Sequence, residues 1–222
     1  MIQIPALALL LASTGIAAAQ DQPAPLAETP TPVPAAEAPA PPKPPEPPKP
    51  LGPLVVLNTG MGAITIELDR LHAPISTANF LKYVDQMRFD GIKFYRAYKV
   101  PYPTPIGLIQ AGVAGRSDKV LPPIAHEPTS KTGLSHIDGA ISMARGAPGT
   151  AAGDFFIIIG DLHSLDATDK DPGYAVFGKV VGGMENVIKI LGAPTSPTLG
   201  SGAMKGQMIE KPVPVATTRR VK

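Results

Sequence analysis

The stretch that decides how this chain folds runs from Ile92 to Gly112. It opens Ile92-Lys-Phe-Tyr-Arg-Ala-Tyr98 and closes Gly107-Leu-Ile-Gln-Ala-Gly112. The first half alternates apolar and polar residues, as a strand buried on one face does. That alternation places Arg96 on one face with Ile92 and Phe94. A guanidinium on an apolar face is costly unless its donors are met. Gln110 supplies an acceptor if the second apolar run, Gly107 to Val113, returns beside the first as a strand. Taken alone, Arg96 also reads as an arginine at a strand edge with its head in water.

Outward from this stretch, strands dominate. Leu54-Val-Val-Leu-Asn-Thr59 and Ala63-Ile-Thr-Ile-Glu-Leu68, joined by Gly60-Met-Gly62, predict a β-hairpin. Pro74 suits a first helical turn, and Ile75, Ala78, Leu81 and Val84 follow at helical spacing through about Gln86. Gly115 to Gly139 is rich in loop residues, and Asp138-Gly139 turns into a strand over Ala140 to Ala144. Phe155 to Ile159 is a dense apolar strand of the kind found at the centre of a sheet. Tyr174 to Val181 is another strand. Met184 to Leu191 reads as a helix ending at Gly192, and Met208 to Thr217 as a final strand. Many strands with two distant helices predict an all-β sandwich or barrel.

Composition narrows the function. The 222 residues include 28 prolines, 22 glycines, no cysteine and no tryptophan. Absence of cysteine excludes disulfides, thiolate metal sites and a cysteine nucleophile. A formal charge of +2 from intermixed acids and bases carries no nucleic-acid footprint, and the Arg219-Arg220-Val-Lys222 tail reads as a solvated end.

About half of the prolines precede Leu54. Ile4 to Ala19 is an apolar run closing on Ala17-Ala18-Ala19-Gln20, the small-residue pattern of a signal-peptide cleavage site, although no Lys or Arg precedes it. Residues 20–53 are low in complexity and poor in large apolar side chains, so they are expected to form a disordered linker. In polyproline II geometry, at roughly 3.1 Å per residue, that linker reaches on the order of 100 Å. The expected organisation is a signal peptide (1–19), a proline-rich linker (20–53) and a folded domain (54–222). The expected location is periplasmic or secreted, without stable membrane insertion after cleavage.

Three segments carry a family resemblance. They are Ile141-Ser-Met-Ala-Arg-Gly-Ala-Pro148, Gly153-Asp-Phe-Phe-Ile-Ile-Ile-Gly160 and Tyr174-Ala-Val-Phe-Gly-Lys-Val-Val-Gly-Gly-Met184. With the Arg96 stretch, they resemble the cyclophilin family of peptidyl-prolyl cis-trans isomerases, most of all its bacterial cell-envelope branch. The resemblance covers Leu54 to about Val215. It implies a closed eight-stranded antiparallel β-barrel capped by two α-helices. It also implies catalysis of rotation about the bond before proline, with Arg96 at the catalytic arginine and Gln110 at the glutamine that positions it. Phe156 then falls on the pocket floor, Leu108, Leu165 and Tyr174 on its walls, and Ala144 and Arg145 on the segment that pairs with substrate backbone.

Three departures from the family pattern stand out. Tyr95 replaces a histidine, Gly107 falls where a phenylalanine closes the pocket, and Asp154 replaces a polar amide. Ile106, Tyr98 or Tyr102 of a proline-rich connection longer than usual (Val100-Pro-Tyr-Pro-Thr-Pro105) is a candidate to fill the gap at Gly107. Asp154 is expected to seek an arginine, with Arg145 the candidate. Ser164 stands near the family's tryptophan contact for cyclosporin. These departures keep open an alternative function as a proline-peptide-binding chaperone or scaffold with weak or no catalysis.

Other constellations are weak. His126-Glu127 is not followed by a helical zinc pattern, and Asp161 and His163 lack a serine elbow. Asp166, Asp169 and Asp171 are not spaced as a calcium loop and read as a solvated acidic loop. No metal or cofactor is therefore expected. The expected partners are proline-containing peptides or unfolded clients, with no nucleic acid, and the chain is expected to act as a monomer.

Overall fold

The computed structural model describes residues 52–101 and 104–221. The expected signal peptide, nearly all of the expected linker, and Tyr102 lie outside the described residues. Among the described residues, nine strands and three α-helices follow in chain order. They are β1 (Leu54–Thr59), β2 (Gly62–Leu68), α1 (Pro74–Asp85), β3 (Lys93–Val100), β4 (Ile106–Gly112), α2 (Thr129–Thr132), β5 (Ala140–Met143), β6 (Asp154–Ile159), β7 (Ala175–Gly182), α3 (Met184–Leu191), β8 (Thr195–Ser196) and β9 (Met208–Arg220).

Eight of the strands close on themselves in the order β1-β2-β7-β5-β6-β4-β3-β9, with β9 pairing back to β1. Every pairing is antiparallel, and two-residue β8 is appended to the outside of β9. Closure leaves the ring without an open edge, which is how a small all-β domain satisfies its backbone donors and acceptors.

Alternation sorts side chains between two faces. Val55 and Leu57, Ile64, Ile66 and Leu68, Ile109 and Ala111, Phe155, Ile157 and Ile159 all point into one interior cluster. Helix α1 adds Phe80, Tyr83 and Val84 to it, and α3 adds Val187, Ile190 and Leu191. Phe80 anchors its aromatic part, with its ring centroid 5.0 Å from Phe89 and 5.3 Å from both Phe155 and Phe177. Pairs of this geometry add about 0.5–1.5 kcal/mol each beyond their burial.

Both long helices are where periodicity predicts them, with ends explained by tertiary partners. Ala73 offers α1 no side-chain cap. Instead, the Glu127 carboxylate accepts the backbone N–H groups of Ile75 (2.9 Å) and Ser76 (2.7 Å). That satisfies orphan donors at the positive end of the helix dipole and accounts for Glu127 of the His126-Glu127 pair. Gly192 ends α3 in a right-handed conformation (φ −65°), so it does not act as the left-handed cap glycine usually supplies. Left-handed geometry falls instead at the start of α3, on Gly183 (φ +81°), where a Cβ would meet the Ala63 carbonyl oxygen at 2.1 Å.

The C-terminal strand is longer than its apolar pattern predicts, and Arg219 and Arg220 of the basic tail are part of it. β9 runs on to Arg220, pairing Val55 with Arg220 and Val56 with Arg219. Arg219 makes a bidentate contact with Asp90 (2.7 and 2.8 Å), and Arg220 pairs with Asp85 at the end of α1.

Strict alternation fails at the decisive stretch. Phe94 pairs with Ala111 and Arg96 with Gln110, so Tyr95 is an extra residue in β3 and the register shifts there. This is a β-bulge, which re-aims the side chains that follow it. Ile92 and Phe94 stay in the interior, and Ala97 joins them. Arg96 is carried to the outer face, not the face it would share with Ile92 and Phe94 by simple alternation. Tyr98 pairs with Leu108, Lys99 with Gly107 and Val100 with Ile106, so β3 and β4 continue as a ladder almost to the prolines.

Candidate active site

Three neighbouring strands bring one row of side chains onto the outer wall. Phe156 of β6 pairs with Gln110 of β4, and Gln110 pairs with Arg96 of β3. Two residues along, Ile158, Leu108 and Tyr98 form a second row. Their Leu108, Phe156 and Ile158 join Ala140 of β5 and Val176 of β7 in a second cluster, separate from the interior. Tyr98, Leu134, Ala144, Leu162, Leu165 and Tyr174 pack around it, each only partly buried. Thus Phe156, Leu108, Ala144, Leu165 and Tyr174 share one patch.

Arg96 stands at the edge of this patch, partly buried and, among the described residues, without an acidic partner. Its Nη1 donates to Gln110 Oε1 at 2.8 Å, and its Nε donates to Gln207 Oε1 at 2.8 Å. Among the described residues, Nη2 donates to no protein acceptor. Burial draws the guanidinium's pKa below its ordinary value, opposed by Tyr95, Tyr174 and Tyr98. An arginine remains charged under these conditions. Neutral amide oxygens fix its orientation without cancelling its charge.

Each amide is itself held. Gln110 Nε2 donates to the Tyr95 hydroxyl at 2.7 Å, so the bulge residue in place of the usual histidine orients the glutamine. Burial, and after it the nearby Asp154 charge, push the Tyr95 pKa up and keep the phenol protonated. Gln207 Nε2 donates to the Ala203 carbonyl at 2.6 Å. Gln207 precedes β9 in a segment with no apolar period, so nothing in its own neighbourhood signals a role. It reaches Arg96 because β9 pairs with β3, Met208 lying opposite Arg96.

Arg145 lies with its guanidinium 4.8 Å above the centre of the Tyr174 ring and donates from Nε to the Gly173 carbonyl at 3.0 Å. It thereby props the wall that Tyr174 forms. It does not pair with Asp154; its nearest carboxylate is that of Asp171, at 3.6 Å. Asp154 Oδ1 accepts from the Ala114 backbone N–H at 2.9 Å, and burial pushes its pKa up. Its backbone carbonyl accepts the Ala144 N–H at 2.9 Å. Asp154 therefore draws no donor away from the patch.

Gly107 does not face the patch. A Cβ built there would lie 2.0 Å from the Tyr98 carbonyl oxygen and 3.3 Å from Leu191 of the interior cluster. No phenylalanine fits, and the aromatic surface is supplied instead by Tyr98 across the ladder, packed on the Leu108–Phe156 cluster. Asp166 also departs from its reading as part of a solvated loop. It binds the side chains of Ser135 and His136 and the His136 backbone N–H. Ser164 lies in the turn His163–Leu165. No cluster able to hold a metal ion occurs among the described residues, and none of their helices is long and apolar enough to cross a membrane.

A fixed cation beside an apolar, aromatic-walled patch is suited to gripping a ring-bearing amide. Comparison with known proteins points the same way. Residues 54–217 match the family of cyclophilin type peptidyl-prolyl cis-trans isomerases/CLD. A peptidyl-prolyl cis-trans isomerase of Acinetobacter baylyi is 39% identical over 147 residues, covering 64% of this chain and 74% of that protein. Peptidyl-prolyl cis-trans isomerase A of Dickeya dadantii is 39% identical over 140 residues, covering 61% and 70%. A crystal structure of a Cryptosporidium parvum cyclophilin type isomerase, in the presence of the dipeptide Ala-Pro, aligns with a TM-score of 0.61 at 20% identity. It covers 76% of this chain and 99% of the other, a likeness of fold.

Proposed function

This chain belongs to the cyclophilin-type peptidyl-prolyl cis-trans isomerases, and from its family activity we propose that it accelerates prolyl rotation in exported proteins, using Arg96 as the catalytic group. A bond before proline rotates slowly because amide resonance keeps it planar, and both isomers are populated. Rotation requires no nucleophile and no proton transfer. It requires a site that holds the twisted amide more tightly than the planar one.

The observation that carries this reading is Arg96, oriented by Gln110 and Gln207, its Nη2 without an acceptor among the described residues, beside the Phe156–Leu108 patch. As the C–N bond twists, the prolyl nitrogen regains its lone pair. A preoriented charged donor then gains most at the top of the barrier. Phe156, Leu108, Leu165, Tyr98 and Tyr174 receive the proline ring. Ala144 and Arg145 lie where the flanking peptide would run.

A proline-peptide isomerisation assay of the wild type against Arg96→Ala tests the mechanism. The expected loss is roughly 10²–10³-fold in kcat/KM, the scale of a preorganised donor lost from a transition state. Equal rates would remove Arg96 from the chemistry.

The binding-only alternative rests on Gly107, Asp154 and the proline-rich connection. Tyr98 offers the wall that Gly107 lacks, and Asp154 leaves Arg145 on Tyr174; what supports turnover beyond binding is the oriented Arg96 donor. Export rests on Ile4–Ala19 and its alanine-rich end. A mature protein from the periplasm beginning near Gln20 is the expected finding, and an uncleaved cytoplasmic product would overturn it.

A further inference from the structure

Beneath the patch lies a polar chain, buried at His136 and Ser142, that the isomerase chemistry does not use. His136 is fully buried, and its ring lies nearly parallel to Phe156, with centroids 5.9 Å apart and an interplanar angle of 12°. It meets Tyr174 edge-on at 6.4 Å. Its Nδ1 is 2.6 Å from Asp166 Oδ1, and its Nε2 is 3.0 Å from Ser142 Oγ. Asp166 Oδ1 also accepts the His136 backbone N–H at 3.0 Å, while Oδ2 faces Ser135 Oγ and, at 3.2 Å, His163 Nδ1.

The hydrogen-bond roles follow from the partners. An ionised carboxylate only accepts, so Nδ1 carries the ring proton and Nε2 is bare. Nε2 then accepts the Ser142 hydroxyl proton. Ser142 is fully buried and pairs with Phe156 across β5 and β6. Burial holds the His136 pKa below its ordinary value against the pull of Asp166. The ring is therefore neutral, with both nitrogens committed.

This chain of contacts joins the floor of the patch to its wall. The His136 carbonyl accepts the Leu162 N–H at 2.8 Å, and the Leu165 carbonyl accepts the Tyr174 N–H at 3.0 Å. Leu162, Leu165 and Tyr174 all pack on the Phe156 cluster. With the isomerase reading of this patch as its premise, we propose that His136 is a positioning residue, pinned between Ser142 and Asp166 so that Phe156 rests on its ring while Leu165 and Tyr174 are held at the distance a proline ring needs.

Such a residue sets the hollow and not the cation, so its loss should appear in binding. His136→Phe keeps a flat ring under Phe156 but removes both side-chain hydrogen bonds. Expected is a rise of about tenfold in KM, and in the Kd of an Ala-Pro peptide followed by NMR, the scale of one to two hydrogen bonds. The value of kcat should stay within about twofold. Ser142→Ala, which removes only the Nε2 partner, should raise both constants by about threefold. It provides the test if His136→Phe does not fold, as judged by its NMR spectrum. Arg96→Ala should show the opposite split, with kcat lost and peptide Kd retained. Wild-type KM and Kd in folded His136→Phe or Ser142→Ala would overturn the proposal while leaving the isomerase reading intact. A wild-type protein that neither binds nor isomerises the peptide would remove both.

Discussion

The interior of the barrel and the patch on its outer wall are cut from the same strands, yet they are built for different ends. Phe155 and Phe156 are adjacent on β6 and almost equally buried, at 1% and 3% exposure. Phe155 points inward, among Phe80, Phe89 and Phe94. Phe156 points outward, onto His136 and Tyr174. The interior is apolar and closed, while the patch is bordered by Arg96, Gln110 and Arg145 with a partly open rim. Burial alone does not separate core from site; the direction of the side chain does.

The sharpest test of this contrast is the neighbouring pair itself. Phe155→Ala is expected to destabilise the fold by about 3–5 kcal/mol, as loss of a large core aromatic does, with peptide affinity unchanged in molecules that remain folded. Phe156→Ala should cost less stability, because its cavity borders the rim, and should abolish measurable peptide binding. Chemical denaturation and peptide titration read the two effects. Identical outcomes for both variants would erase the distinction.

Next in size is Gln207→Ala, which removes one of the two acceptors holding the guanidinium. A hydrogen bond to a charged group contributes about 1.5–3 kcal/mol to stability, so unfolding should become easier by up to about that amount, and kcat/KM of the folded variant should fall about tenfold as the guanidinium loses its aim. An unchanged rate would show that Gln110 alone suffices to aim Arg96.

Tyr98 tests the wall that replaces a phenylalanine at 107. Tyr98→Ala should raise KM several-fold, consistent with about 1–2 kcal/mol of lost apolar contact, and Tyr98→Phe should behave as wild type. If Tyr98→Phe matched Tyr98→Ala, the hydroxyl and not the ring would be the contributing part.

The smallest expected effect concerns Asp154, whose pKa burial raises. A carboxyl with a folded pKa above its unfolded value lowers stability above that pKa, and the penalty disappears as pH falls through it. Asp154→Asn, able to keep the bond from Ala114 N–H through its amide oxygen, should unfold at a slightly higher temperature than wild type at pH 7. The difference should close toward pH 4. A lower midpoint at pH 7 would mean that the charge is compensated in a way its contacts do not display.

Much of this was legible in the chain. Alternation in Leu54–Leu68 and Phe155–Ile159, and helical spacing after Pro74, mark elements that the structure contains. The same patterns misplace Arg96, because a bulge at Tyr95 leaves no local trace and reverses the faces that follow it. They also shorten β9, since Thr217–Arg220 lack the apolar run that marks a strand and pair with β1 regardless. Gly107 looked like a missing wall because the linear pattern does not show that the Tyr98 carbonyl occupies the space a Cβ would take. Asp166 looked solvated because its partners, Ser135 and His136, are thirty residues away in sequence.

What the sequence determined by itself is periodic and local: which segments pair, which turn, which residues are apolar on one side, and the order of motifs that marks an isomerase. Only the tertiary structure decided which amides hold Arg96, which ring closes the patch and what lies beneath Phe156. The reason is the closed barrel. Ring closure sets β3 against β9 and brings Gln207 to Arg96 across 111 positions of chain. Register between distant strands is a property of the whole ring, and no short window of sequence contains it.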